Sequence, residues 1–262
     1  MKKLFFLALL TTQAHAQNVI IAHFDPFDGA SFNNSETVAK SLAGGLKAKG
    51  IDVKLCPLKT SFQKAYKAFD QCLKAAGPTD LVIGIGETGC KLKVEYVGRN
   101  LDKTYGPDND GENRNNTPII PGGRDFLSLR YPLPQMYCGL SPKERSLVTL
   151  SNDAGSFVCN NVAYQMRHYH PEQMIGFFHV PSHNCKNLTE LNKQNVSILE
   201  KMIIAGINTK DNGSFLPHST NNEEMPITKT EIRNARDSFS QNCYQEFYKN
   251  IKGVDQRVRW PF

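Results

Sequence analysis

The stretch that decides the fold is DLVIGIG, residues 80–86. It is a short apolar run that ends in glycine, which is typical of a strand buried on both faces in a parallel sheet. The runs NVIIAH, 18–23, and MIGFFHV, 174–180, predict two further strands of this kind. Residues 51–58 and 146–152 are additional strand candidates.

Helical patterns lie between these strands. A helix is predicted from about Ser35, with Val38, Leu42 and Leu46 on one face. Other helices are predicted from Ser61, from near Cys159, and after the 174–180 strand, where the apolar face holds Leu188, Leu191, Leu199, Met202 and Ile203. The alternation of strands and helices predicts an α/β fold: a three-layer α/β/α sandwich with a mostly parallel central sheet.

The two ends of the chain differ from this pattern. Residues 1–16, MKKLFFLALLTTQAHA, join a basic start to a short apolar core and a small-x-small end. They predict a secretory signal peptide, cut before Gln17 and too short to span a bilayer. We therefore expect a periplasmic or secreted protein without membrane contact after cleavage. The α/β domain is predicted over 17–208, and 209–262 is an extension expected to pack on it, with a helix over about 228–251.

Charge and residue spacing narrow the classes of partner. The formal net charge is +6, but Lys and Arg are scattered, without the basic run that would suit a nucleic acid. We therefore expect no nucleic-acid partner.

The stretch HYHPEQMIGFFHVPSHNC raises the alternative of a zinc site. Its His168 and His170 are two residues apart and cannot share a helix face, and His179 to Cys185 matches no usual ligand spacing, so no metal site is predicted.

The chain contains seven cysteines, all after the predicted cleavage point. In an exported protein the default is disulfide bonding, and an odd count leaves one thiol unpaired. The sequence alone does not choose among the pairings. A bond from Cys243 in the extension to Cys185 is one guess for how the extension is tied to the domain.

Three chemically active residues follow or end predicted strands. Cys159 comes after the 146–152 strand, His179 lies near the end of the 174–180 strand, and Glu95 lies past 80–86. Because open α/β sheets place their sites beyond the carboxyl ends of the strands, loops at one sheet edge are expected to bring the three together. A cysteine activated by histidine, with a carboxylate behind the imidazole, suits nucleophilic acyl transfer.

The local sequence around these residues resembles the pyroglutamyl-peptidase I family of cysteine peptidases. The likeness covers roughly residues 18–205. Its segments are HFDPFDG (23–29) with NNS (33–35), VIGIGETG (82–89) with VEYVGRN (94–100), PDNDG (107–111), SNDAGSFVCNN (151–161) and GFFHVP (176–181).

The resemblance implies a role for each matching position. Cys159 would be the nucleophile, His179 the general base and then acid, and Glu95 the orienting carboxylate. The residues that would bind substrate are Phe24, Phe27, Asn33 and Glu87. The implied reaction removes an N-terminal pyroglutamate (5-oxoproline) from a peptide substrate through a thioester acyl-enzyme. It implies no metal and no cofactor, and it leaves a homo-oligomer open.

Several positions depart from the family pattern and keep two alternatives open. Glu87 replaces a usual glutamine, Cys90 and Asp28 replace glycines, and Asn34 replaces a proline. His23 and Tyr96 are further departures. The chain is therefore either an active peptidase, an inactive relative that acts as a binding protein, or a cysteine hydrolase of another amide or lactam. The binding-protein alternative predicts that Cys159 is unreactive or lies in a disulfide.

Overall fold

The computed structural model describes residues 17–209 and 241–254. The strands in these ranges are β1 (Asn18–Phe24), β2 (Asp52–Leu58), β3 (Leu81–Glu87), β4 (Leu92–Glu95), β5 (Val97–Arg99), β6 (Phe126–Ser128), β7 (Val148–Ser151) and β8 (Ile175–Val180). The helices are α1 (Asn34–Lys47), α2 (Ala65–Ala76), α3 (Leu133–Cys138), α4 (Pro142–Arg145), α5 (Val158–Tyr169), α6 (Leu188–Ile207) and α7 (Gln241–Val254).

Six of the strands form one sheet with the order β2-β1-β3-β8-β4-β7. The strand predicted from DLVIGIG is β3, which lies between β1 and β8 and pairs in parallel with both. Its Leu81, Val82, Ile83 and Ile85 are fully buried. β4 is antiparallel to β8, and β7 is parallel to β4. The prediction of a mostly parallel sheet is confirmed, and two strands on one side run in the opposite direction.

Helices cover both faces of this sheet, which confirms the predicted α/β/α sandwich. α1 and α6 contact each other in one layer, and α2 and α5 contact each other in the other. α1 begins as its sequence predicts, because the Asn33 side chain accepts a hydrogen bond from the Ser35 N–H and satisfies an unpaired donor of the first turn. Its predicted apolar residues Val38, Leu42 and Leu46 are fully buried.

The sequence patterns missed the short elements β4, β5, β6, α3 and α4. Each of these elements is six residues or shorter, so apolar periodicity has no room to develop. The predicted loop at 102–123 contains no helix or named strand, only a bridge between Asp102 and Thr117. Within the described ranges, no helix has the length and apolar character needed to cross a membrane.

Three disulfides cross-link the chain: Cys56–Cys72 joins two consecutive elements, and Cys90–Cys185 and Cys138–Cys243 join segments far apart in sequence. The Cys185–Cys243 guess is therefore wrong, because Cys243 lies in α7 beside α3 and its Cα is 5.9 Å from that of Cys138. α7 overlaps the second half of the helix predicted over about 228–251 and ends three residues later, at Val254. The predicted signal peptide and the rest of the extension lie outside the described residues.

Gly84 allows a test of packing at the centre of the sheet. A Cβ at this position would stand 2.5 Å from Cδ2 of Phe177, whose side chain is fully buried in the close-packed core. We expect Gly84→Ala to lower the free energy of unfolding by about 1–3 kcal/mol. Gly44→Ala is the control, because nothing lies within 4 Å of its Cβ position in α1. Urea unfolding of the oxidised protein measures both, and equal stabilities would contradict the packing argument.

Candidate active site

The structure brings Cys159, His179 and Glu95 together. Cys159 is the second residue of α5, His179 lies one residue before the end of β8, and Glu95 ends β4. Nδ1 of His179 is 2.9 Å from Oε1 of Glu95, and both side chains are almost completely buried. With Nδ1 donating to this carboxylate, Nε2 of the imidazole is left to act on the thiol of Cys159, which is the one free cysteine.

The reversed direction of β4 places Glu95 beside the histidine. In the antiparallel register, Glu95 lies opposite Phe177, and His179 is two residues further along β8 on the same face. β7 also runs against β8, so their carboxyl ends are at opposite ends of the sheet. The three residues do come together as expected, but they do not all follow the carboxyl ends of strands at one edge of the sheet. The segment 152–157 returns from the end of β7 and carries Cys159 back to His179.

A glycine in β3 makes room for the catalytic pair. The position of a Cβ on Gly86 would be 2.7 Å from Sγ of Cys159 and 3.2 Å from Nε2 of His179. Any side chain at this position would displace the thiol or the imidazole. Gly86 therefore allows both groups to stand against the sheet backbone, next to each other.

The protonation of His179 reflects these neighbours. Burial lowers its pKa, but the hydrogen bonds and negative charges supplied by Cys159 and Glu95 outweigh burial and raise the pKa to about 9. The start of α5 adds a positive electrostatic potential beside the catalytic pair, because the dipole of the helix is positive there and its N-cap residue, Phe157, makes no side-chain hydrogen bond.

The catalytic pair opens into a cavity of about 410 Å³. All four residues predicted to bind substrate line it: Phe24, Phe27, Asn33 and Glu87. Phe24 is buried and packs on Phe177, whereas Phe27 is half-buried, with its ring centroid 4.9 Å from that of Phe157. The Asn33 side chain is used internally: Oδ1 accepts from the Ser35 N–H, and Nδ2 donates to the carbonyl of Asp25.

The departure at Glu87 is compensated within the chain. Oε1 of Glu87 is 2.6 Å from Nδ1 of His183, and Oε2 accepts the backbone N–H of Asn34 at 2.5 Å. A proline in place of Asn34 would lack this N–H. Cys90, another departure, forms its disulfide with Cys185 and so joins the two segments that carry Glu87 and His183. The carboxylate is thus held by neighbours on two sides.

Among the lining residues that sequence reasoning did not predict, Phe157 and His183 make the contacts that shape the pocket wall. Phe157 lies inside the SNDAGSFVCNN segment, two residues before the nucleophile, so its position in that motif was an available signal. His183 was considered only for a metal site, and its contact with Glu87 joins segments far apart in the chain. Across residues 17–209 and 241–254, no group of three or more His, Cys, Asp or Glu side chains is arranged to hold a metal ion.

Comparison with known proteins points to one family. A family model described as pyroglutamyl peptidase matches residues 17–212. Pyrrolidone-carboxylate peptidase 2 of Caldanaerobacter subterraneus subsp. tengcongensis is 31% identical over 169 residues, which cover 62% of this chain and 80% of that relative. The pyrrolidone-carboxylate peptidase of Erwinia tasmaniensis is 33% identical over 176 residues, covering 63% and 78%.

Solved structures share the fold. The crystal structure of pyroglutamyl peptidase I from Bacillus amyloliquefaciens has a TM-score of 0.64 at 23% identity, covering 74% of this chain and 96% of that one. A mutant pyrrolidone carboxyl peptidase from Pyrococcus furiosus has a TM-score of 0.62 at 24% identity, covering 73% and 98%. At these identities the likeness establishes the α/β/α fold.

The free thiol gives a direct chemical test of the site. We expect iodoacetamide to label the unreduced native protein at Cys159 alone, because the other six cysteines are held in disulfides. Cys159→Ala should take up no label under the same conditions. Peptide mass spectrometry locates the label. Labelling at another cysteine would contradict the disulfide pattern, and an inert Cys159 would favour the binding-protein alternative.

Proposed function

The chain belongs to the pyroglutamyl peptidase family, and from that premise we propose that it removes an N-terminal pyroglutamate from peptides. It is a cysteine-type omega peptidase. The observation that carries the proposal is the buried Glu95–His179 hydrogen bond next to the free thiol of Cys159, in a pocket with aromatic walls. The relatives are named pyrrolidone-carboxylate peptidases, and these names indicate a peptide that begins with pyroglutamate as the substrate.

In the first half of the reaction, the Cys159 thiolate attacks the pyroglutamyl carbonyl carbon and forms a carbon–sulfur bond. His179 holds the proton taken from the thiol and gives it to the nitrogen of the leaving amine as the carbon–nitrogen bond breaks. Glu95 keeps the imidazole in the tautomer and orientation that this transfer needs. The products of this half are a thioester on Cys159 and a shortened peptide.

In the second half, His179 takes a proton from water, and the resulting hydroxide attacks the thioester. The carbon–sulfur bond breaks, 5-oxoproline leaves as the acid, and the thiol is restored. The negative oxygen that forms in both halves needs donors. Backbone N–H groups at the start of α5 have no acceptor within the helix, so they are suited to that role.

The pocket also suits the proposed specificity. Pyroglutamate has no free amine, so a carboxylate that binds an ordinary peptide N-terminus would find no partner in it. A flat lactam instead packs well against aromatic rings, and the half-buried Phe27 lies in the wall with Phe157. Both carboxylate oxygens of Glu87 already have hydrogen-bonding partners within the chain. No specific observation therefore favours a different amide as the substrate.

Export of the protein is a further part of the proposal. The signal-like residues 1–16 support it, and so does the presence of three disulfides, which persist in oxidising compartments. Fractionation of cells that make the full chain tests this point. Recovery of an uncut chain from the cytosol, starting at Met1, would contradict it.

Hydrolysis of an L-pyroglutamyl amide with a fluorogenic leaving group tests the activity. The protein starting at Gln17 should release the fluorophore, and Cys159→Ala should be at least about a thousandfold slower, since the nucleophile is lost. Lys67→Ala, a change at an exposed residue of α2 outside the pocket, serves as the control and should keep the wild-type rate. Silence from the wild type, combined with intact folding, would refute the proposed substrate.

The pH dependence tests the role of Glu95. Because the pKa of His179 is raised to about 9, the imidazolium persists up to that pH, and kcat/KM should fall as pH rises through it. Glu95→Gln removes a negative charge that raises this pKa, so the alkaline limb should move to lower pH. Initial rates between pH 6 and about 10 measure the shift. An unchanged alkaline limb in Glu95→Gln would show that the carboxylate does not support the imidazolium.

A further inference from the structure

A second and larger cavity, of about 930 Å³, adjoins the catalytic pocket. The two cavities share Phe27, Asp28 and residues 155–157 in their walls. The smaller cavity contains the catalytic cysteine and histidine, whereas the larger one is lined mainly by residues between 99 and 109. A substrate bound at the nucleophile would therefore have two spaces available, one on each side of the aromatic pair Phe27–Phe157.

Residues 103–109, which we call the strap, are fixed at both ends against the walls of the catalytic pocket. At one end the Lys103 N–H donates to the Ser156 carbonyl, and the Ser156 hydroxyl donates to the Lys103 carbonyl, both at 2.9 Å. At the other end Nδ2 of Asn109 donates to the carbonyl of Pro26 at 2.8 Å. The strap is thus anchored three residues before Cys159 and again beside Phe27.

Tyr105 lies in the middle of the strap and faces solvent. Its side chain is 96% exposed, the highest exposure among the large apolar side chains of the described ranges. The Lys103 ammonium lies 5.7 Å from the centre of its ring, close enough for a cation–π contact. A single exposed aromatic residue is unremarkable on a surface. This one, however, lines a cavity that shares walls with the catalytic pocket, and its strap is anchored on both sides.

We propose that the larger cavity is the subsite for the peptide chain that follows pyroglutamate, and that Tyr105 is a specificity-determining residue that packs against that chain. This inference rests on the proposed function. The scissile bond lies at Cys159, so if the lactam occupies the smaller aromatic cavity, the leaving peptide must extend into the adjoining space. The substrates favoured would be pyroglutamyl peptides with several further residues rather than short pyroglutamyl amides.

Two substrates of different length distinguish an effect on this subsite from an effect on catalysis: pyroglutamyl-Ala amide and pyroglutamyl-Ala-Ala-Ala amide. We expect the wild type to have a higher kcat/KM for the longer peptide. Tyr105→Ala should lower that value by roughly three- to tenfold, the scale of one aromatic contact, and should leave the short substrate within about twofold. Tyr105→Phe keeps the ring and should retain the preference. Tyr169→Ala, which removes an exposed ring outside both cavities, is the matched control.

Equal kcat/KM values for the two peptides in the wild type would overturn the inference. An equal loss on both substrates in Tyr105→Ala, or no loss on the long one, would do the same. Binding of the long peptide to the Cys159→Ala protein, with and without Tyr105→Ala, measures the subsite without turnover. Weaker binding when Tyr105 is removed would support the subsite even if the hydrolysis proposal failed, and unchanged binding would refute it.

Discussion

The hydrogen bond between the buried carboxylate of Glu95 and the imidazole of His179 is the constraint on which the site depends. Removing a carboxylate from water costs several kcal/mol unless a partner compensates it. That partner is available only because β4 runs against β8 in a register that brings Glu95 next to His179 on one face. The reversed strands at this side of the sheet are therefore part of the catalytic geometry, since a carboxylate moved off this register would be buried without its partner.

The site also needs space beside the central strand, and two glycines of β3 leave that space free. Gly84 leaves space for the ring of Phe177, and Gly86 leaves space for the thiol and the imidazole. The same stretch that builds the centre of the sheet thus also allows functional side chains to stand against it. A larger residue at Gly84 would disturb the core, and one at Gly86 would disturb the catalytic pair, because protein interiors have few voids that could accommodate it.

Six of the seven cysteines form structural disulfides, and the seventh, Cys159, is free to react. The three disulfides attach α2 to β2, α7 to α3, and the segment after β3 to the segment after β8. The last of these holds the two sides of the pocket where Glu87 meets His183. Cys159 lies apart from these bonds, at the start of α5, next to the imidazole of His179. An oxidising compartment would preserve the disulfides while exposing this thiol to oxidation.

The sequence by itself determined the buried strands β1, β3 and β8, the apolar face of α1, and Cys159, His179 and Glu95 as candidates, because apolar periodicity and short motifs are local properties of the chain. It left undecided the direction of β4 and β7, the pairing of six cysteines, the place of Phe157 in the pocket wall and the partners of Glu87. Only the tertiary structure decided these, since each depends on contacts between residues far apart in sequence. A strand of four residues carries too little pattern to reveal its neighbours, and a carboxylate has no visible partner until the chain has folded around it.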